Sequence, residues 1–142
     1  MPFATAIAAN TLAAYRRAHY CVDALPSFVL RVDAPSAALQ ALQRRHGCAC
    51  SVFITACNPG SQLLDPQVNA LRQRALLEQL RTGAHTLFSG YGRDPDGLWP
   101  PEPSFLVLGL ELDAAQQLGR RHEQNAVVWS GADAVPRLIL LR

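Results

Sequence analysis

The sequence predicts an α+β fold: one domain over residues 1–142, with about four helices packed on a mixed sheet of five or six strands. Three observations predict it. The length of 142 residues is close to the commonest size of one domain. Apolar residues make up 49% and charged residues 17% of the chain, which is typical of a packed globule and not of a disordered chain. Helical patterns alternate with short apolar runs, and then short strands follow one another near the end.

The first half of the chain alternates helices with strands. Residues 5–19 predict a helix, and residues 28–32 (FVLRV) predict a strand. Asp33 is the expected cap of a second helix, which Gly47 would end. Residues 50–56 (CSVFITA) are apolar and β-branched at both alternating sets of positions. This pattern is typical of a central strand covered on both faces.

The second half begins with the longest helix. Asp65 caps it, Pro66 is its first residue, and it ends near Arg81. We expect its apolar residues to form one buried stripe, made of Val68, Leu71, Ala75, Leu76 and Leu80. Asp113 is the expected cap of a last, short helix. Strands are predicted at residues 85–89, 105–110, 125–129 and 138–141, and a long loop at residues 90–104.

Charge and composition narrow the classes of partner. The net charge is only +2, and all 13 basic residues are arginine. A nearly neutral chain lacks the basic surface of a nucleic-acid binder, so nucleic-acid binding, which would use the arginine pairs at residues 16–17, 44–45 and 120–121, is the weakest hypothesis for a partner. No apolar run approaches the length of a membrane span, and the N-terminal residues lack the pattern of a signal peptide. With four cysteines and no export signal, the expected location is the cytoplasm, with free thiols.

Two pairs of polar residues near the predicted central strand are candidates for ligand binding. Asn58 and Ser61 follow that strand directly, where α/β proteins often bind ligands. Both are also ordinary turn residues, so a purely structural role is the alternative. Asn69 and Arg72 share one side of the long helix. They bear on ligand binding only if they point to the same rim as Asn58, and a solvated helix face explains them equally well.

The loop at residues 90–104 (GYGRDPDGLWPPEPS) is the third candidate, because long ordered loops often carry function. Arg93 is suited to gripping a carboxylate or phosphate. Its acidic residues are suited to Mg²⁺ or to acid–base chemistry, and Glu102 is the expected catalytic residue if a reaction occurs. Alternatively, the Asp-Pro-Asp-Gly run only makes a turn. The side chains concentrated in this loop are Tyr91, Arg93, Asp94, Asp96, Trp99, Glu102 and Ser104.

Gln124 and Asn125 form the last candidate pair, since side-chain amides recognise hydrogen-bonding groups well. They are also common at the start of a strand. The spacing of His46, Cys48 and Cys50 does not match a zinc site, so we expect no metal there. The sequence carries no motif that identifies a cofactor or a known class of catalytic site.

Several of these segments occur in a familiar order along the chain. They are FITA at residues 53–56, Asn58-Pro59, Asn69 with Arg72, GRDPDG at residues 92–97, Trp99-Pro100, EPS at residues 102–104 and QNAV at residues 124–127. Over about residues 15–135 the chain resembles a bacterial family known only as a domain of unknown function. The resemblance implies a short, stand-alone bacterial protein and transfers no activity. The family usually has a tryptophan or another large residue at position 57, which argues against a catalytic role for Cys57.

Two functions follow as hypotheses. The first is binding of a small anionic or amide-bearing ligand, such as a nucleotide or metabolite, at the strand ends and the loop at residues 90–104. The second is a non-catalytic interaction module or homodimer. It would use Tyr91, Trp99 and Phe105, and also the strand at residues 138–141 if that strand lies at a sheet edge.

Overall fold

A computed structural model describes residues 5–142, and residues 1–4 of the expected domain lie outside this range. The helices are α1 (Ala9–Arg17), α2 (Ala37–Arg45), α3 (Pro66–Thr82) and α4 (Leu112–Arg121), with one 3₁₀ turn at Pro59–Ser61. The strands are β1 (His19–Val22), β2 (Phe28–Leu30), β3 (Ser51–Ile54), β4 (Leu87–Arg93), β5 (Glu102–Leu108), β6 (Ala126–Ser130) and β7 (Arg137–Leu140). No helix within the described residues combines the length and the apolar character that crossing a membrane requires.

The α+β class and the four helices are confirmed, but the expected sheet is wrong in two respects. The described residues form seven strands, in the order β2-β1-β4-β5-β3-β6-β7, and each recorded pairing is antiparallel. The strand that the sequence did not reveal is β1, whose four residues begin just after α1 ends. The sheet is not mixed because the strands joined through α2 and α3 are not neighbours in it. Those crossovers therefore create no parallel pair.

The predicted loop at residues 90–104 is shorter than expected, because strands occupy both of its ends. β4 continues to Arg93 and β5 begins at Glu102, so only residues 94–101 form the loop of a hairpin. Gly90 lies opposite Ser104 in this hairpin, and Gly92 lies opposite Glu102. This register places Glu102 and Ser104 on the sheet instead of in a mobile loop.

Two of the expected helix caps are wrong. Ser36, and not Asp33, caps α2, and its hydroxyl accepts a backbone N–H three residues later. Asp33 has a φ of 66°, a left-handed conformation that keeps it outside the helix. Asp113 lies inside the first turn of α4, after Glu111, where its charge still suits the helix dipole. The predicted cap Asp65 is confirmed, since its carboxylate accepts a backbone N–H in the first turn of α3.

The expected apolar stripe of α3 is correct only in its second half. Leu76 and Leu80 are buried, whereas Val68 is 45% and Leu71 is 64% exposed, and Ala75 is exposed as well. The first half of α3 packs on the domain through polar side chains instead, as the site below shows. Hydrophobic periodicity does not detect a helix face that binds backbone groups.

The core lies on both faces of the sheet. On one face, α2 packs Leu39 and Leu42 against the sheet cluster that contains Phe53 and Leu106. On the other face, α3 and α4 pack against a second cluster around Val52. α1 lies over the first face, yet none of its residues is buried. The space beneath α1 is therefore not filled by a packed core.

Candidate functional site

A cavity of about 210 Å³ lies between α1 and the sheet, beside the end of β3. Its apolar wall includes Ala14, Ala18, Phe53, Val128 and Leu138. Polar residues gather at one end of it, and they include Thr55, Asn58, Glu102, Ser104 and Gln124. Arg93, Asp94, Trp99 and Pro100 from the β4–β5 hairpin also line it. The cavity thus combines an apolar body with one polar end, which is the usual character of a small-molecule site.

The structure brings most of the candidate residues to this cavity. Seven of them line it: Asn58, Ser61, Arg93, Asp94, Glu102, Ser104 and Gln124. Of the other three, Asn69 and Asn125 hydrogen-bond to the lining residues Asn58 and Ser61, and Arg72 bonds to the backbone of Ala56, which lies between the lining residues Thr55 and Asn58 in the chain. Residues from five separate segments of the sequence therefore form one region of the molecule.

Asn58 organises the polar end of the cavity. Its φ is 48°, in the left-handed region that asparagine tolerates better than most residues. The side-chain Oδ1 accepts from the Leu64 N–H at 3.0 Å and from the Asn69 Nδ2 at 2.7 Å. The side-chain Nδ2 donates to Glu102 Oε2 at 2.8 Å. Asn69 in turn accepts the Asn58 backbone N–H at 2.9 Å, so the two asparagines hold one another in place.

Glu102 is the acidic residue at this polar end. Its side chain is half-buried, and burial raises the pKa of its carboxyl group, an effect that the hydrogen bond from Asn58 opposes. Oε2 has Asn58 Nδ2 as its donor, and no described residue hydrogen-bonds to Oε1. No described residue forms an ion pair with Glu102 either. A carboxyl in this setting binds a proton more readily than an exposed one and keeps an oxygen available.

Arg72 and Gln73 attach the first half of α3 to the strand ends. Arg72 Nε donates to the Ala56 carbonyl at 2.8 Å, and its NH2 donates to the His122 carbonyl at 2.9 Å. Gln73 Oε1 accepts the Ala56 N–H at 2.9 Å. Gln73 Nε2 is buried and has no partner among the described residues. These contacts use the Arg72 and Gln73 side chains to hold the wall of the cavity.

Hydrogen bonds of Tyr15 hold α1 over the cavity. Its hydroxyl hydrogen-bonds to Ser61 Oγ and accepts from Asn125 Nδ2 at 3.1 Å. Asn125 Nδ2 also donates to Ser61 Oγ at 3.2 Å. The Tyr20 hydroxyl donates to the Tyr15 carbonyl at 2.6 Å. The sequence does not predict a role for either tyrosine, since Tyr15 lies within the helix expected at residues 5–19 and Tyr20 lies on β1, the strand that the sequence does not reveal.

The hairpin supplies the rim. Arg93 is exposed, and its guanidinium contacts His19 Nδ1 at 2.8 Å. Asp94 accepts the backbone N–H groups of Asp96, Leu98 and Trp99 at 2.9, 2.8 and 3.2 Å. These bonds lower the pKa of Asp94, and the bond from the Asp96 N–H has the largest effect. The Asp94 carboxylate therefore stabilises the turn, which agrees with the interpretation that the Asp-Pro-Asp-Gly run makes a turn. Arg93, by contrast, retains N–H groups for other partners.

Gln124 and Ser104 complete the polar end. Gln124 Nε2 donates to two backbone carbonyls, those of Cys57 and His122, both at 3.1 Å. Ser104 Oγ donates to the backbone carbonyl of Glu102 at 3.0 Å. The donor groups of both side chains thus already hydrogen-bond within the protein.

The described residues contain no group of three or more His, Cys, Asp or Glu side chains that could hold a metal ion. The four cysteines are free thiols, and Cys21, Cys50 and Cys57 are buried. Burial raises the pKa of the Cys57 thiol. A thiol with a raised pKa is a poor nucleophile near neutral pH.

The comparisons with known proteins give one match. A family model described as "Protein of unknown function (DUF3293)" matches residues 54–127, slightly more than half of the chain. This segment includes Asn58, Asn69, Arg72, Glu102 and Gln124, but not Tyr15 of α1. No curated protein and no solved structure gives a significant match.

Proposed function

Because this chain belongs to the DUF3293 family, whose description assigns no activity, we propose its function from the geometry alone: it binds a small molecule in the cavity beneath α1. The observation that carries this proposal is the convergence of Asn58, Glu102, Ser104 and Gln124 on one cavity that is also lined by apolar side chains. Such a pairing of apolar surface with a few oriented polar groups gives both affinity and specificity.

The size of the cavity limits the ligand. Drug-sized ligands occupy pockets of roughly 300–1,000 Å³, and an apolar cavity of about 150 Å³ can hold benzene. The cavity here measures about 210 Å³. We therefore favour a metabolite of about one ring over a whole nucleotide.

The distribution of charge limits the ligand further. An anionic group suits the rim, where Arg93 is exposed, and it does not suit the interior, where Glu102 lies. An amide-bearing ligand suits the interior, because an amide N–H can donate to a carboxylate. If the bound molecule reacts, Glu102 is the residue placed to transfer a proton, since burial brings its pKa closer to neutral. We also propose a cytoplasmic location, because the four free thiols would stay reduced there.

The test is a thermal-shift screen of one-ring metabolites against the parent protein and Gly92→Ile. A Cβ added at Gly92, which lines the cavity, would meet no atom within 4 Å, so this position has room for a larger side chain that takes up part of the cavity. A ligand at about one hundred times its Kd adds about 2.7 kcal/mol of stability. That corresponds to a rise of roughly 5–10 °C in Tm for a domain of this size. Hits on the parent protein that Gly92→Ile lacks would support the proposal, and hits shared equally by both would contradict it.

A second candidate function, self-association, has its own supporting observation. β2 and β7 are the outer strands of the sheet, so each leaves one edge unpaired among the described residues. Leu98 is 77% and Trp99 is 42% exposed on the hairpin loop, although Phe105 is buried and is not part of such a surface. Light scattering across a range of protein concentrations tests this candidate. A constant monomer mass at all concentrations would exclude it.

A further inference from the structure

At the polar end of the cavity, most side-chain donors already have hydrogen-bond partners within the protein, whereas some acceptors do not. The side-chain donors already serve the protein: Asn58 Nδ2 donates to Glu102, Ser104 Oγ to a backbone carbonyl, and Gln124 Nε2 to two carbonyls. The Thr55 hydroxyl is also used, since it donates to the Pro103 carbonyl at 2.7 Å. A ligand that offers only acceptors would therefore find few free donors at this end.

Two acceptor oxygens at the same end are free of hydrogen bonds from the described residues. Within residues 5–142, no donor reaches Glu102 Oε1, and Gln124 Oε1 accepts from no described residue. Glutamine offers two donors and one acceptor oxygen, and here only its nitrogen is engaged. Apart from the second N–H of Asn58, the side-chain groups that remain for a ligand are thus a carboxylate oxygen and an amide oxygen, and both require a hydrogen-bond donor.

The charge at this end is also uncompensated. The recorded partner of the Glu102 carboxylate is a neutral amide, that of Asn58, and none of the recorded ion pairs includes Glu102. Arg93, the arginine that lines the cavity, lies at the rim and contacts His19. A charged group withdrawn from water is costly unless an opposite charge or strong hydrogen bonds accompany it. A cationic ligand group would supply both.

We propose that the interior end of the cavity binds a protonated amine or amidine carried on a small apolar body, with its N–H groups on Glu102 Oε1 and on the Gln124 amide oxygen. The body of the ligand lies against Ala14, Phe53, Val128 and Leu138. This inference rests on the proposed function, because it assigns the ligand class of the same cavity. Charge-assisted hydrogen bonds are roughly twice as strong as neutral ones, so the charge of the ligand nitrogen should govern affinity.

Three probes of similar size and different charge test the proposal: benzylammonium, benzyl alcohol and benzoate. Their dissociation constants are measured by calorimetry at about pH 8 on the parent protein, Glu102→Gln and Gly92→Ile. We expect the ammonium to bind the parent protein at least about tenfold more tightly than the alcohol, a difference of about 1.4 kcal/mol. Benzoate should bind most weakly. Glu102→Gln keeps the size of the side chain and an acceptor for Asn58, and it should reduce the preference for ammonium to less than about threefold.

Each other outcome overturns a different part of the account. If the alcohol or benzoate binds the parent protein as tightly as the ammonium, and Gly92→Ile abolishes that binding, the cavity is a ligand site and the cationic ligand class is wrong. If the ammonium preference persists in Glu102→Gln, the assignment to Glu102 is wrong. If no probe binds the parent protein even at millimolar concentration, both the proposed function and this inference fail.

Discussion

Substituting Asn58 by alanine should destabilise the protein severely, because one side chain holds three separate segments at the polar end of the cavity. Asn58 accepts from the Leu64 backbone and from Asn69, and it donates to Glu102. The residue is 9% exposed, so water would not fully replace these bonds. The substitution leaves the donors of Leu64 and Asn69 without their acceptor.

The expected cost has two parts. Each lost hydrogen bond costs about 1 kcal/mol net, so the three bonds together contribute about 3 kcal/mol. The φ of 48° adds a second part, since a left-handed conformation costs an ordinary residue about 1 kcal/mol more than it costs asparagine or glycine. The total of about 4 kcal/mol is a large share of the roughly 5–15 kcal/mol by which domains of this kind are stable.

Urea unfolding of the parent protein, Asn58→Ala and Asn58→Gly separates the two parts. Glycine removes the same three hydrogen bonds but adopts this φ without strain. We therefore expect a loss of about 4 kcal/mol for alanine and about 3 kcal/mol for glycine. A loss below about 1 kcal/mol in Asn58→Ala would show that the network does not organise this end of the cavity. Equal losses in the two variants would refute the contribution assigned to the backbone.

Three further predictions concern other features of the fold. The raised pKa of Glu102 means that the folded state binds its proton more tightly than the unfolded chain. In unfolding experiments, the free energy of unfolding of the parent relative to that of Glu102→Gln should thus be highest below pH 4.5, fall as the pH rises through the pKa of the folded state, and then level off. Parallel pH profiles for the two proteins would contradict this. Gly90→Ala should lower Tm, because its Cβ would lie 2.2 Å from the Cys21 carbonyl oxygen, and an unchanged Tm would argue against this close approach. Without denaturant, iodoacetamide should modify half-buried Cys48 well before Cys57, which is 2% exposed and has a raised pKa; mass spectrometry showing equal rates would be inconsistent with the buried site.

The sequence predicts the elements with strong local signals and misses those that depend on distant partners. Asp65 and Pro66 predict the start of α3, because both act within its first turn. β1 has no such signal, since its four residues form a strand only because β2 and β4 lie on either side of it. The same reason explains the two ends of the predicted loop at residues 90–104, which are strand because β4 pairs with β5.

The candidate site shows the same division. Polar residues at predicted strand ends, such as Asn58 and Glu102, were named from sequence and do line one cavity. The sequence does not predict which of the candidate residues line the cavity and which support its wall. Asn69 and Arg72 turn out to bond to Asn58 and to the Ala56 backbone, because α3 packs its first half on the domain with polar side chains. The contribution of Tyr15 depends on where α1 lies over the sheet, which no local pattern encodes.

NMR can locate the binding site of a small molecule and so show whether it binds beneath α1. The backbone amide signals of the parent protein would be followed during a titration with benzylammonium, with Gly92→Ile as the blocked control. We expect the shifted signals to belong to α1, to the residues from Phe53 to Asn58 and to the start of β5 at Glu102. We expect no shifts in Gly92→Ile at equal concentration. Shifts confined to α3 and α4 on the opposite face of the sheet, or equal shifts in the blocked variant, would contradict binding beneath α1.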